Sequence, residues 1–448
     1  MRSWLSIGPI ILVYLILSVS CGGPEQSVQE RGRNNIILII LDTLRAENLS
    51  CYGYYRDTSP ALDSLAECGT RWTSLQAQAP WTLPAHATIW TGLSVQSHRT
   101  LNPVSLETEG EDRLKLIYKL DTDLPSLPVI LRDAGFATFG VVNFAILSDV
   151  YGFDQGFDEY HCHPTGEGQA AVSVDMMIEW LEEHRDERFF CVMHLYDIHS
   201  PYAPPAPYNS MFQDDPELVW FDWEIDGDSI LNAEEVQTAI DMYDGEIRWV
   251  DDNLSRLFAW LRTNGLEGET MIVVMADHGE EFLEHGWVLH GTTLYQEVLH
   301  VPLIMSGPGI PAGVVDSTRV GQFDILPTLI AWAGLESDAY FDGVNILEDP
   351  DPYRSIPSSE TSLPPWTDRY PLASSVSGSV KTIMMNDMEE FVTYRLDEDP
   401  QEIQPLPGDS IGMESVLYYW ATPPRGFPEF AQSDPRSIQA LRDLGYID

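Results

Sequence analysis

Two runs of apolar residues, each ending in a carboxylate, constrain the fold of this chain more than any other feature. Residues 36–41 read IILIIL and are followed by Asp42. Residues 271–276 read MIVVMA and are followed by Asp277 and His278. Short continuous runs of this kind are typical of strands that are buried on both faces of a parallel sheet. The sequence therefore predicts an α/β fold with a mainly parallel sheet.

The chain alternates between strand and helix patterns up to about residue 345. Apolar residues recur every three or four positions from Tyr243 to Leu261, which predicts an amphipathic helix. Alternation of this kind predicts helices that flank one sheet. Further strands are expected at 71–76, 136–142, 188–195 and 301–305, and further helices at 60–68, 82–92, 128–134 and 323–332.

The pattern changes beyond about residue 350. Residues 374–383 and 389–395 alternate in polarity and predict antiparallel strands around a turn at Asn386 and Asp387. Residues 438–445 predict a short helix. We therefore expect a large domain over residues 35–345 and a smaller α+β subdomain over residues 346–448.

The first 34 residues have the composition of an export signal and a linker. Arg2 precedes an uncharged, mostly apolar stretch that ends at Cys21. The SVSC sequence at this point resembles a bacterial lipobox, so residues 1–21 predict a signal peptide with lipidation of Cys21. Residues 22–34 predict a polar linker. The expected product is a membrane-anchored lipoprotein of the bacterial cell envelope, with a secreted protein or a retained anchor as alternatives.

The net charge limits the partners. The chain has 24 Lys and Arg against 70 Asp and Glu, which gives a formal charge of −46. A surface of this sign repels nucleic acid and anionic lipid. We therefore expect no nucleic-acid partner, and contact with a membrane only through the N-terminal lipid anchor.

Carboxylates at strand ends and a hydroxyl at a helix start form the candidate site. Ligands of open parallel sheets bind at the carboxyl ends of the strands, where Asp42 and Asp277 are expected. One such aspartate is more commonly a turn residue, but two of them, with His278 beside the second, favour Ca²⁺, Mn²⁺ or Zn²⁺. Thr82 begins a predicted helix, where backbone N–H groups favour an anion, although a hydroxyl there is commonly an N-cap.

Several motifs, in order along residues 35–448, resemble the sulfatase branch of the alkaline-phosphatase superfamily. The resemblance implies an alkaline-phosphatase-like fold, with residues 35–345 as the catalytic domain, and a metal-dependent hydrolase of sulfate or phosphate esters. Its substrate would be an anionic ester, either a small molecule or a glycan. The segments that carry the resemblance are 39–53, 82–92, 194–202, 243–247, 276–286, 394–403 and 444–447.

The resemblance also implies roles for individual residues. It makes Thr82 the nucleophile and implies one divalent cation, Ca²⁺ first and Mn²⁺ or Zn²⁺ as alternatives. His199 and His290 correspond to residues that contact the ester anion or protonate the leaving oxygen, and His86 stands where the family has an arginine. The implied catalytic residues are Thr82, His86, His199 and His290, and the implied metal ligands are Asp42, Thr82, Asp277 and His278.

The chain departs from the sulfatase pattern at the nucleophile. Typical members have Cys or Ser at the position of Thr82 and convert it to formylglycine, so we expect no formylglycine here. Thr43 also replaces an acidic residue that is common after the first ligand. A threonine ester breaks down only when water attacks the transferred group, which favours phosphate esters without excluding sulfate. The alternatives are a phosphotransferase of the cell envelope and a non-catalytic sulfatase-like lipoprotein.

Overall fold

The computed structural model describes most of the chain between residues 34 and 430. The predicted signal peptide with Cys21, nearly all of the linker, the turn at 386–387 and the helix at 438–445 lie outside the described residues. In the part that is described, every helix is too short or too polar to span a bilayer. The described residues are 34–100, 104–106, 114–116, 118–163, 169–213, 232–348, 350–359, 373–385, 390–406, 410–420 and 429–430.

Strands and helices alternate along the described chain. The strands are β1 (Asn35–Leu41), β2 (Thr70–Gln76), β3 (Val104–Leu106), β4 (Leu114–Leu116), β5 (Tyr118–Lys119), β6 (Ala137–Val142), β7 (Glu159–Cys162), β8 (Phe189–Leu195), β9 (Thr270–Ala276), β10 (Glu281–Phe282), β11 (Val288–Leu289), β12 (His300–Ser306), β13 (Val314–Asp316), β14 (Val320–Gly321), β15 (Ile356–Ser359), β16 (Ala373–Ser377), β17 (Val380–Met385), β18 (Glu390–Arg395) and β19 (Glu429–Phe430). The helices are α1 (Pro60–Glu67), α2 (Thr82–Thr91), α3 (Val95–His98), α4 (Leu127–Asp133), α5 (Gln169–His184), α6 (Ala233–Thr263), α7 (Gln296–Leu299), α8 (Ile325–Trp332) and α9 (Ser410–Trp420).

The large sheet confirms the predicted α/β class. Within the described residues it has nine strands in the order β13-β2-β12-β9-β1-β8-β6-β7, and β14 pairs beside β2. Strand β1 lies in the interior of the sheet, parallel to both β8 and β9. Strand β12 is antiparallel to both of its neighbours. All seven residues of β1 are buried, as expected for a strand in which six consecutive residues are apolar.

Six of the described helices form two groups, and the helices of each group contact other members of that group. Helix α6 packs against α1 and α5, and α5 also contacts β6 and β8. In the other group, α2 and α4 contact each other and both contact α8. Two such groups are expected for a parallel sheet that is covered on both faces. The large sheet therefore lies between helices.

The C-terminal part is a separate antiparallel sheet, as the polarity pattern predicted. Its order is β15-β16-β17-β18, and α9 packs against β16 and β17. One detail of the prediction was wrong, because residues 374–383 form parts of two strands and not one. Gly378 has a φ of 56° and reverses the chain between β16 and β17. Polar and apolar residues alternate on both sides of Gly378, so the sequence pattern did not reveal the reversal of the chain.

A buried carboxylate joins α6, the longest of the described helices, to α1. Asp251 of α6 is 1% exposed, and its two oxygens accept the backbone N–H groups of Ala61 and Leu62 at 2.8 and 2.9 Å. The side chain of Ser59, which precedes α1, does not cap a backbone N–H group of that helix. Asp251 therefore supplies, from a distant part of the chain, the acceptors that the first turn of α1 needs.

We predict that Asp251→Ala lowers the free energy of unfolding by about 2–4 kcal/mol, because it leaves two buried N–H groups without acceptors. Chemical denaturation would measure the change. Gln237→Ala, on the exposed side of the same helix, is the control and should change stability by less than about 0.5 kcal/mol. Equal effects of the two substitutions would contradict this account.

Candidate functional site

The register of three neighbouring strands brings the acidic residues together. Leu41 pairs with Ala276 across β1 and β9, so Asp42 and Asp277 leave adjacent strands at the same edge of the sheet. On the other side of β1, Leu41 pairs with Leu195, and the N–H of Asp42 extends that ladder by donating to the Leu195 carbonyl at 2.9 Å. Both aspartates are fully buried.

Four donor atoms converge at this edge. The Nε2 atom of His278 lies 3.4 Å from Oγ1 of Thr82, 3.5 Å from Oδ2 of Asp277 and 3.6 Å from Oδ1 of Asp42. One donor atom from each of Asp42, Asp277 and His278 lies within 4.8 Å of the other two. The structure thus brings together all four residues that were predicted as metal ligands.

Hydrogen bonds hold the outer atoms of these side chains and leave the inner atoms facing one another. Nδ1 of His278 donates to the Gly279 carbonyl at 3.0 Å. Oδ1 of Asp277 accepts the N–H of His278 at 2.9 Å and that of Thr43 at 3.3 Å. Thr43 therefore contributes its backbone, where the acidic residue of the family pattern would contribute a side chain.

At this edge of the sheet, two buried carboxylate oxygens have no hydrogen-bond partner among the described residues. They are Oδ1 of Asp42 and Oδ2 of Asp277, the two oxygens that lie near His278. A buried anionic oxygen without a partner is costly, and a cation is the usual way to satisfy it. The donor set of two carboxylates, an imidazole and a hydroxyl suits a divalent cation, so these residues fit the metal that the sequence implied.

His194 belongs to the site, although it was not among the predicted residues. Its Nε2 atom lies 3.0 Å from Oδ2 of Asp42, and both side chains are fully buried. His194 pairs with Ile40 in the register of β8 against β1, which places it next to the site edge. The position of His194 next to Asp42 follows from the strand register, and residue spacing in the sequence does not reveal it.

His86 also approaches one of the carboxylates. Its Nδ1 atom donates to the Thr82 carbonyl at 2.9 Å within α2 and lies 3.5 Å from Oδ2 of Asp277. Its ring centroid is 4.9 Å from that of His194. His86, which stands where the family pattern has an arginine, thus contacts the start of α2.

Burial shifts the pKa values of these groups toward their neutral forms. It raises the pKa of Asp42 to about 7, and burial together with the nearby Asp42 charge raises the pKa of Asp277. Burial lowers the pKa of His86 to about 3 and that of His194 to about 4. For His278, burial disfavours the protonated imidazole, but the two nearby carboxylates outweigh the effect of burial and raise its pKa.

The other two predicted histidines, His199 and His290, lie close to His278. The ring centroid of His290 is 4.3 Å from that of His278 and 4.9 Å from that of His199. Burial lowers the pKa of both His199 and His290 well below its ordinary value. A second residue that the sequence analysis missed, Glu280, bonds to His290, with 2.8 Å between Oε1 and Nδ1.

Comparison with known proteins supports the assignment that the motifs suggested. The family model described as Sulfatase matches residues 34–335. An extracellular sulfatase Sulf-1 homologue of Caenorhabditis elegans is 24% identical over 75% of this chain, which spans 52% of that relative. An N-acetylglucosamine-6-O-sulfatase of Bacteroides thetaiotaomicron is 24% identical over 87% of this chain and 85% of its own length.

Solved structures share the fold over most of the chain. A structure in complex with its substrate D-glucosamine-2-N,6-O-disulfate has a TM-score of 0.72 and 20% identity, and covers 87% of this chain and 97% of its own. A phosphonate monoester hydrolase of Agrobacterium radiobacter has a TM-score of 0.69 and 21% identity, and covers 92% and 96%. Because the family model matches more than half of the 448 residues, this chain belongs to the sulfatase family of the alkaline-phosphatase superfamily, whose members hydrolyse sulfate or phosphate esters.

Proposed function

We propose that this chain is a metal-dependent hydrolase of sulfate or phosphate esters that uses Thr82 as its nucleophile. The observation that carries the proposal is the position of the Thr82 hydroxyl, 3.4 Å from Nε2 of His278 and beside two buried, unpartnered carboxylate oxygens. A role in helix capping alone does not explain why this hydroxyl faces a cluster of potential metal ligands. The convergence of the four residues also argues against a non-catalytic role.

Asp42, Thr82, Asp277 and His278 would hold the cation. Two carboxylates, an imidazole and a hydroxyl make a mixed oxygen and nitrogen donor set, which suits Zn²⁺ or Mn²⁺. Calcium is bound by oxygen ligands. We therefore propose Zn²⁺ or Mn²⁺ ahead of Ca²⁺, which the sequence alone placed first. A bound cation supplies positive charge that stabilises the hydroxyl oxygen as a nucleophile and the transferred anion.

The chain's own residues orient the reaction around this centre. Thr82 is the first residue of α2, so backbone N–H groups of the first turn lie near its hydroxyl and can bind the ester anion. We propose that Oγ1 of Thr82 attacks the sulfur or phosphorus atom while its proton passes to His290 or His199, and that this proton is then delivered to the ester oxygen that leaves. Water then attacks the transferred group, the bond to Oγ1 breaks, and Oγ1 takes a proton from that water.

His86 is proposed to position the nucleophile. Burial lowers its pKa to about 3, so the side chain is neutral at pH 7 and supplies no countercharge to the anion. Its bond to the Thr82 carbonyl and its approach to Asp277 instead connect α2 to the acidic edge of the sheet. This role differs from that of the arginine found in typical sulfatases.

The nucleophile favours phosphate esters over sulfate esters as substrates. A threonine ester has no route of self-expulsion, so water must displace the transferred group, which suits phosphoryl transfer. The structural similarity to a phosphonate monoester hydrolase supports this direction, whereas the N-acetylglucosamine-6-O-sulfatase relative supports a sulfated glycan. The proposed substrate is thus an anionic ester, either free or carried by a glycan.

Substitution of the nucleophile tests the proposal directly. Thr82→Ala should lower kcat by at least about 1,000-fold, whereas Thr82→Ser keeps a hydroxyl and should retain measurable turnover. The substrates are 4-nitrophenyl sulfate, 4-nitrophenyl phosphate, bis(4-nitrophenyl) phosphate and 4-nitrophenyl phenylphosphonate, each with Zn²⁺, Mn²⁺ or Ca²⁺. Adding an alcohol to the assay separates hydrolysis from transfer, because a phosphotransferase would form the alcohol ester.

Thr91→Ala is the matched control, since it removes a buried hydroxyl from the other end of the same helix. It should keep kcat within a few-fold of the wild-type value. Full activity of Thr82→Ala would show that another group is the nucleophile.

Removal of His194 should weaken metal binding, because His194 holds the outer oxygen of Asp42. We predict that His194→Ala lowers the affinity for Zn²⁺ about 10- to 100-fold, measured by competition with a chromophoric chelator. His98→Ala is the control: His98 is also a buried histidine, bonded to Oγ1 of Thr88 at 3.0 Å, but it lies outside the donor cluster. Equal losses in the two variants would indicate a general effect of removing a buried imidazole.

A further inference from the structure

Two fully buried glutamines lie beside the site, and none of the roles described above uses them. Gln78 lies between β2 and α2, and Gln322 directly follows β14. The backbone N–H of Gln78 donates to Oε1 of Gln322 at 3.1 Å, and the backbone N–H of Gln322 donates to Oε1 of Gln78 at 2.5 Å. We call these two residues the glutamine pair.

The side-chain amide of Gln322 binds the edge of the sheet that carries the donor cluster. Its Nε2 atom donates to the backbone carbonyls of Ala276 and Asp277, at 3.0 and 2.5 Å. The pairing of β12 with β9 ends at Met275, just before these two residues. Gln322 therefore holds the backbone of Asp277 at a point where pairing with β12 has ended.

The other member of the glutamine pair reaches the C-terminal sheet. Nε2 of Gln78 donates to the Pro357 carbonyl at 3.3 Å, and the Gln78 carbonyl accepts the N–H of Ser359 at 2.9 Å. Pro357 and Ser359 both belong to β15. The glutamine pair therefore connects the end of β9, the segment that leads to Thr82 and the first strand of the C-terminal sheet.

A glycine leaves the space that the glutamine pair occupies. A Cβ atom added to Gly321 would lie 2.9 Å from Nε2 of Gln78 and 2.9 Å from the ring of Phe323. Gly321 pairs with Gln76 where β14 joins β2, which brings Gln322 alongside the segment that follows β2. Buried amides without partners are costly, whereas a buried network in which the amides are bonded is rigid. The glutamine pair is therefore a fixed connection.

We propose that Gln322 is a positioning residue for the metal-binding edge and that Gln78 holds Gln322 in place. This inference rests on the proposed metal-dependent function. Gln322 fixes the backbone of Asp277, and Gln78 lies in the segment that leads to Thr82, so the pair sets these two residues relative to each other. Contacts that touch a metal ligand, and not the cation itself, orient the ligand and raise the affinity for the metal.

Gln322→Met tests this role, because methionine is similar in size to glutamine and has no amide. The variant should bind Zn²⁺ about 10- to 100-fold more weakly than the wild-type protein, measured on the full chain by competition with a chromophoric chelator. Unfolding by urea in the presence of EDTA measures the stability of the metal-free protein in parallel. The two measurements separate a loss of positioning from a loss of fold.

A second reciprocal glutamine contact in the same part of the chain provides the control. Gln76 is also fully buried, and its side-chain amide and that of Gln296 donate to each other's oxygens at 3.1 and 2.9 Å. These bonds do not involve a predicted metal ligand. Gln76→Met should keep the affinity for Zn²⁺ within about threefold of the wild-type value. Equal losses of Zn²⁺ affinity in Gln76→Met and Gln322→Met would overturn the inference.

A double-mutant cycle tests whether the two glutamines act together. Gln78→Met leaves the Gln322 amide in place and removes the acceptor of the Gln322 N–H, so Zn²⁺ affinity should fall less, by about 3- to 10-fold. This variant also provides the comparison if Gln322→Met does not fold. Adding Gln78→Met to Gln322→Met should cause little further loss, because Gln78 acts through Gln322. Losses that multiply would contradict this shared role.

The inference and the proposed function fail on different results. Zn²⁺ affinity is measured without turnover, so it tests the glutamine pair even in a protein that hydrolyses no ester. A wild-type protein that binds Zn²⁺ and turns over none of the esters would defeat the proposed function. A Gln322→Met variant that binds Zn²⁺ as tightly as an active wild-type protein would defeat only the inference.

Discussion

The parallel pairing of β1 with β8 and β9 is the interaction on which the rest of the site depends. Backbone hydrogen bonds set the strands in register, so the residues that follow them leave the sheet side by side. Asp42 and Asp277 are far apart in sequence, yet they become neighbours as soon as these strands pair. A shift of one residue in this register would turn each side chain to the other face of the sheet. The apolar sequences of the strands thus serve the geometry of the site as well as the core.

The cost of placing two carboxylates together is reduced by neutral histidines. His194 bonds to the outer oxygen of Asp42, and His86 lies 3.5 Å from Asp277. Burial lowers the pKa of both imidazoles, so they act as uncharged donors and add no positive charge to the site. In the proposed function, a divalent cation and His278 supply the positive charge that balances the acidic cluster. This arrangement suits a chain that has a charge of −46 and few basic residues to place inside.

The C-terminal sheet contributes to the site by holding the segment that carries His290. Lys381 of β17 forms a buried ion pair with Glu402, with 2.8 Å between Nζ and Oε1. The other oxygen of Glu402 accepts the N–H of Gln296 at 2.6 Å, and the Glu402 carbonyl lies 3.2 Å from His285. His285 and Gln296 lie on either side of His290 in sequence. The smaller sheet therefore anchors both ends of this segment.

The sequence by itself determined the fold class and predicted most residues of the candidate site. Continuous apolar runs predicted buried parallel strands, because only such strands need no polar face. The positions of Asp42, Asp277 and His278 directly after those runs marked these residues as site candidates. Short-range patterns could not show the antiparallel direction of β12 or the reversal at Gly378. Only the tertiary structure showed that His194 and Glu280 belong to the site, because strand register and the packing of a glycine against a distant carbonyl place them there. Those contacts join residues that are distant in sequence, so short-range sequence patterns do not reveal them.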